Sequence, residues 1–249
     1  MVASKEADNK QYLVSIADDL RLLVRFHDRE LDGEFLSGLR KEKVTEFLSA
    51  GFEAEAVIKA ASDLDDALAE LPSALGDSML DSLAAEYANI YLCHNYRIAP
   101  TGSVWLTEEK LERQEPMFDA REWYEKYGLV APDWRIRPDD HIVHELQFVA
   151  SLCEAGTKQS LEDAVAFLDQ CMLVWVPDFA NTLGERANEA IYIASAALTA
   201  TYLEELRDLL EVITGIARPV IEQVSRENIA TLSDIDEDRP FVPGLAESW

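Results

Sequence analysis

Apolar positions along this chain recur with the helical period of 3.6 residues almost from end to end. Leu13, Ile16, Leu20, Leu23 and Val24 share one face of a first helix over residues 10–31, and Gly33 is expected to end it. A second helix is read over 34–50 with Gly51 as its cap. A third runs over 53–71, striped by Val57, Ala60, Ala61, Leu64 and Leu68 and broken by Pro72. A fourth, capped by Asp77 or Ser78, reaches Leu92. Residues 93–107 lose the period and read as a long loop, the usual place for working residues. A helix from Thr107 to Gly128, kinked at Pro116, and a linker over 129–137 come next.

Residues 138–152, PDDHIVHELQFVASL, are the stretch around which the rest is organised. Pro138 with Asp139 and Asp140 reads as a helix start, because proline tolerates the first turn and carboxylates there meet unpaired N–H groups. Ile142, Leu146, Val149 and Ala150 then form a core-facing stripe, with His141 and His144 near its beginning. Beyond it, Ser160 caps a helix to Val176 that Pro177 stops, and residues 178–184 make a short helical turn. A long helix spans 185–213, Gly215 interrupts it, and a last helix carrying Val220 and Val224 fades near Ile229. No internal repeat and no strand pattern emerges. The fold class read from this pattern is all-α, a single-domain helical bundle of roughly nine to eleven helices over residues 1–231. Residues 232–249 form an acidic, proline-containing tail expected to be mobile.

Composition changes this picture in two ways. At 249 residues with 48% hydrophobic content, the chain can bury a core without disulfides or a structural metal. Its 48 acidic against 22 basic residues give a formal charge of −26, which argues against nucleic acid and anionic lipid as partners. A cationic partner, a solubilised helical surface or a saline habitat each fits that charge. Cys93, Cys153 and Cys171 show no CxxC spacing, so a reducing cytoplasm is expected. The first ten residues lack an apolar signal core, and the most apolar window, 191–203, is too short to span a bilayer.

Candidate chemistry is sparse. His141, His144 and Glu145 share a helix face and could offer metal ligands, but neither Glu-x-x-His pairs nor HExxH occurs, so capping, core hydrogen bonding or ligand recognition is the preferred reading. No GxSxG elbow, GxGxxG or GxxxxGK[ST] loop is present, and Ser103 has no evident base. Trp105, Trp123, Tyr124, Tyr127 and Trp134 crowd one region, where each could be core or together they could line a peptide groove.

Four pieces in order, EYANIYL (86–92), P-x-x-SVWL (100–106), WYEKYGL (123–129) and PDDHIVHELQF (138–148), resemble the TorD/DmsD/NarJ family of redox-enzyme maturation chaperones. The resemblance implies an all-helical cytoplasmic chaperone without enzymatic turnover and without a cofactor of its own. It implies as partner the apo-molybdoenzyme catalytic subunit and its twin-arginine signal peptide, held back from export until the molybdopterin is inserted. Matched by position, Asp140 and His141 are the pair linked to peptide recognition, and Pro100, Ser103 and Trp105 belong to its loop. Glu86, Tyr87, Tyr124, His144 and Glu145 complete the candidate peptide-binding set, and Asp140→Ala or His141→Ala is expected to lower affinity more than melting temperature. The oligomeric state is expected to be monomer or helix-swapped homodimer. The alternatives are a helical metal-dependent hydrolase using His141, His144 and Glu145, and a general acidic protein-interaction module.

Overall fold

The computed structural model describes residues 2–48, 52–93 and 95–219, with the side chains of 2–8, 45 and 47 excepted. Residues 1–217 form one compact unit, and a second, 218–249, lies almost wholly outside the described residues, as do the last helix and the acidic tail read from the sequence.

Within the first unit the described residues form eleven α-helices and no strand. They are α1 Val2–Asp28, α2 Gly33–Lys41, α3 Val44–Phe47, α4 Glu55–Glu70, α5 Asp77–Tyr87, α6 Gly102–Leu106, α7 Glu115–Lys126, α8 Ile142–Ala155, α9 Lys158–Phe167, α10 Val176–Arg186 and α11 Ala190–Thr214. The all-α bundle is therefore present. Its centre is α8, packed between α1 and α9, and α11, packed on α4 and α10. Both central helices bury apolar residues nearly all round, from Ile142 to Cys153 and from Ile191 to Leu210, which is how interior helices differ from striped surface ones.

Several boundaries differ from the sequence reading, each for a local reason. Gly33 opens α2 instead of ending α1, because the side chain of Asp32 accepts the Phe35 N–H and caps the new helix. The expected helix over 34–50 breaks at Glu42 and Lys43, where the Val44 N–H is taken by the Asp65 carboxylate at 2.6 Å. Pro116 does not kink a helix from Thr107. It sits in the first turn of α7, where its missing N–H costs nothing, and residues 107–114 are a loop. Pro177 likewise starts α10. Thr157, not Ser160, caps α9, with Ser160 closing a reciprocal capping box. The loop 93–107 contains the short helix α6. Two π-helical turns, Ala88–Leu92 and Leu168–Met172, extend α5 and α9. At the far end of α8, Gly156 takes φ 59°, the left-handed cap that lets the chain turn at once into α9.

One polar feature of the core fixes how α1, α5 and α11 meet. His27, fully buried, bonds Tyr91 Oη at 2.7 Å through Nδ1 and Thr199 Oγ1 at 2.8 Å through Nε2. Thr199 spends its own proton on the Ser195 carbonyl, so Nε2 must donate and Nδ1 must accept from Tyr91. Burial pushes the imidazole pKa down to about 3, so it stays neutral.

Candidate functional site

The two stretches marked by the sequence, 100–106 and 138–145, meet side by side. Ile142 N–H donates to the Pro100 carbonyl at 2.9 Å, Gly102 N–H donates to the Asp140 carbonyl at 3.0 Å, and Thr101 pairs with His141 in an isolated antiparallel bridge. The Asp140 side chain locks this clasp: its Oδ2 accepts from the Ser103 N–H at 2.6 Å and from the Ser103 hydroxyl at 2.5 Å. Ser103 Oγ in turn accepts the Gln114 N–H at 3.1 Å, tying in the loop before α7. Asp139 and Asp140 therefore do not cap α8. That position belongs to His141, whose Nδ1 accepts the Val143 N–H at 3.2 Å, fixing a proton on Nε2 in the neutral ring.

Asp139 is held by a fork–fork pair with Arg121 of α7, and its carbonyl accepts the Tyr124 hydroxyl at 2.8 Å. Arg137, just ahead, reaches the Asp28 carboxylate and carbonyl at the end of α1. The corner 137–141 is thus anchored to three helices before α8 begins.

Beneath the clasp lies an unusually unsatisfied polar pocket. Thr101 Oγ1, Asp140 Oδ1, Glu145 Oε2 and Trp175 Nε1 are buried without a hydrogen-bond partner among the described residues. Burial pushes the Asp140 carboxyl up, against its two bonds from Ser103. Burial and then the Asp140 charge drive Glu145 well above the carboxylate range, with the indole N–H of Trp175, nearby but outside bonding geometry, working the other way. Burial and the Asp140 charge both favour the protonated, neutral form of Glu145. Gly102 sits close under the indole, since a Cβ there would meet Trp175 Nε1 at 3.2 Å and press the ring to shift by a few tenths of an ångström. Gly102, Arg121, Arg137 and Trp175 were not singled out from the sequence. Only the glycine inside the 100–106 motif offered a signal, because the rest are set by contacts distant along the chain.

Of the sequence-selected residues, Pro100, Ser103, Asp140, His141, Tyr124 and Glu145 are brought together, and all are buried. His144 is half-buried one turn on, its Nε2 unpartnered and its pKa lowered by desolvation and then by Arg137. It lines a cleft of about 220 Å³ with Tyr124, Pro132 and Phe148. Trp105 is half-buried, donating to the Ala99 carbonyl at 2.8 Å and meeting Phe179 edge-on. Glu86 and Tyr87 serve elsewhere. Glu86 accepts the Asn188 N–H at 2.6 Å and the Tyr96 hydroxyl at 2.7 Å at the start of α11, and Tyr87 donates to the Asp28 carbonyl and stacks on Tyr91. Solvent meets the region through the linker, where Leu129, Val130, Trp134 and Ile136 are 43, 79, 41 and 82% exposed. Such apolar exposure on one short segment makes the linker a candidate binding surface. Among the described residues no group of three His, Cys, Asp or Glu is placed to hold a metal ion.

Residues 55–181 match the family model of the nitrate reductase delta subunit, which covers the TorD and NarJ proteins. The chain belongs to that family. Proteins named chaperone protein TorD are similar to it: that of Aliivibrio fischeri is 29% identical over 137 residues, 51% of this chain and 63% of that protein. The one from Aliivibrio salmonicida is 27% identical over 184 residues, covering 70% of this chain and 85% of the relative. The one from Vibrio cholerae strain O395 is 26% identical over 198 residues, covering 76% and 83%. These TorD relatives are named chaperones. The matched segment contains α4 to α9 and the first half of α10, and so the whole of the clasp and the apolar linker. No described helix is long and apolar enough to cross a membrane.

Proposed function

We propose that this TorD-family protein is a cytoplasmic maturation chaperone that binds the twin-arginine leader, or an equivalent segment, of an apo-molybdopterin oxidoreductase catalytic subunit. In this role it delays export until the cofactor is in place. The observation that carries the reading is the exposed apolar linker 129–136 held rigidly beside the clasped Asp140–His141 corner. A twin-arginine leader is a cationic patch followed by an apolar stretch. The stretch would cover Leu129, Val130, Trp134 and Ile136, while the acidic surface attracts the arginines. Burying about four such side chains is worth roughly 6–12 kcal/mol gross. Ordering the peptide takes back several, leaving affinity near micromolar, about −8 kcal/mol.

Calorimetric titration with the leader of a molybdoenzyme encoded beside this gene is the test. Binding at micromolar concentration in low salt is expected, with a leader lacking its arginine pair binding about tenfold weaker. No heat at tens of micromolar would sink the proposal, and equal binding of the charge-neutral leader would favour a general interaction module.

A further inference from the structure

On the far side of Ser103 from Asp140, the loops flanking α6 enclose a second cleft of about 690 Å³. Three of its lining residues are cations, Arg97, Lys110 and Arg113, in a chain with 48 acidic and only 22 basic residues. All three adopt the left-handed region, with φ of 55°, 52° and 62°, and they are the only non-glycine residues with positive φ among those described. For a residue with a Cβ that conformation is strained, and strain gathered at one place marks a geometry held for a purpose. Arg97 and Lys110 make no ion pair among the described residues, and both are exposed. Arg113 spends part of its guanidinium on Glu112 and the Arg135 carbonyl. Between the cations the cleft has an apolar floor of buried Ile98 and Ala99 and an edge at Leu111, which is 59% exposed, while Glu112 and Gln114 add polar groups to its wall.

We infer that this cleft docks an acidic peptide segment of a partner protein, one that alternates carboxylates with aliphatic side chains. Charge complementarity chooses the occupant. In a chain of formal charge −26, three cations lining one cleft against the single carboxylate of Glu112 favour an anionic occupant there. The apolar floor chooses a peptide over an inorganic or nucleotide phosphate, which brings no aliphatic side chain to cover Leu111. The site is distinct from the leader surface, the exposed apolar linker 129–136, since none of the cleft's lining residues belongs to that segment. Both share the clasp, because Gln114 and Val104 of the cleft flank Ser103.

The test uses fluorescence anisotropy with a labelled octapeptide of alternating Glu and Leu residues against the full chain. Saturable binding that falls about tenfold in Arg97→Glu/Lys110→Glu, with an unchanged melting temperature, is expected. Should charge reversal prevent folding, Arg97→Gln/Lys110→Gln should still weaken binding several-fold. Leader binding to the same variants is the second readout, and it should be unchanged. Equal binding by the Gln-for-Glu peptide, indifference to both double variants, or displacement by millimolar inorganic phosphate or ATP would each overturn the inference. Loss of leader binding with retained octapeptide binding would instead count only against the proposed function.

Discussion

Asp140 was expected to contact the peptide, and its surroundings give it a different first task. Its side chain is 1% exposed and holds both polar groups of Ser103, so it stabilises the clasp from inside. Removing it leaves the Ser103 N–H and hydroxyl buried without their acceptor, a loss of about 1–3 kcal/mol each at most. Asp140→Ala is accordingly expected to lower the melting temperature by roughly 3–10 °C in a scanning measurement. An unchanged melting temperature with lost leader affinity would restore the direct-contact role. Glu145 adds a pH dependence whose sign is fixed by its raised pKa. The native state binds a proton that the unfolded chain releases near the ordinary glutamate value, so stability falls as pH rises above about 4.5. Glu145→Gln should remove that decline, giving a melting temperature that is higher at pH 8 than wild type and nearly equal at pH 4.5. His27 acts oppositely. Its depressed pKa means stability is lost as pH drops from 6.5 toward about 3, which confines the optimum between the two groups.

At the scale of elements, the linker 129–137 matters because both its ends are fixed. Leu129 N–H donates to the Tyr124 carbonyl at 2.9 Å, and Arg137 grips Asp28. Between those anchors Trp134 is flanked by Arg121 and Arg135, whose guanidinium carbons lie 5.5 and 5.3 Å from its ring. A rigid, apolar, cation-framed segment can receive a partner without first paying the ordering entropy of a free loop. The double variant Val130→Ser/Ile136→Ser is therefore expected to keep its melting temperature within a degree or two, because both side chains already face water. Its leader affinity should fall about tenfold or more by calorimetry. Equal affinity would move the contact surface elsewhere on the molecule.

For the molecule as a whole, a formal charge of −26 sets the long-range field that any partner meets first. That field speeds the approach of a cationic leader and contributes little to the final contacts, which are apolar. Raising salt from about 50 to 500 mM should thus slow association far more than it speeds dissociation, as read by stopped-flow fluorescence. Rates that ignore salt would assign the acidity to solubility alone. The same field is why a cationic cleft beside α6 stands out as a separate place on the surface.

Periodicity alone determined the helices and the class of fold, because the need to bury one stripe per helix is written in residue spacing. The stripes of α4 and α8 and the stop at Pro72 needed no coordinates, and neither did the family resemblance in 86–148. Helix starts were less legible. Whether Gly33 ends or Asp32 begins a helix, and whether Pro116 kinks or initiates one, depends on which acceptor reaches which N–H in three dimensions. Only the tertiary structure decided that Asp140 grips Ser103 while His141 caps α8, and that Glu86 and Tyr87 work at other junctions. It also decided that Glu145 lies buried beside Trp175. Those roles arise from contacts between residues far apart in the chain, where burial and lost hydration, not local spacing, set what each side chain does.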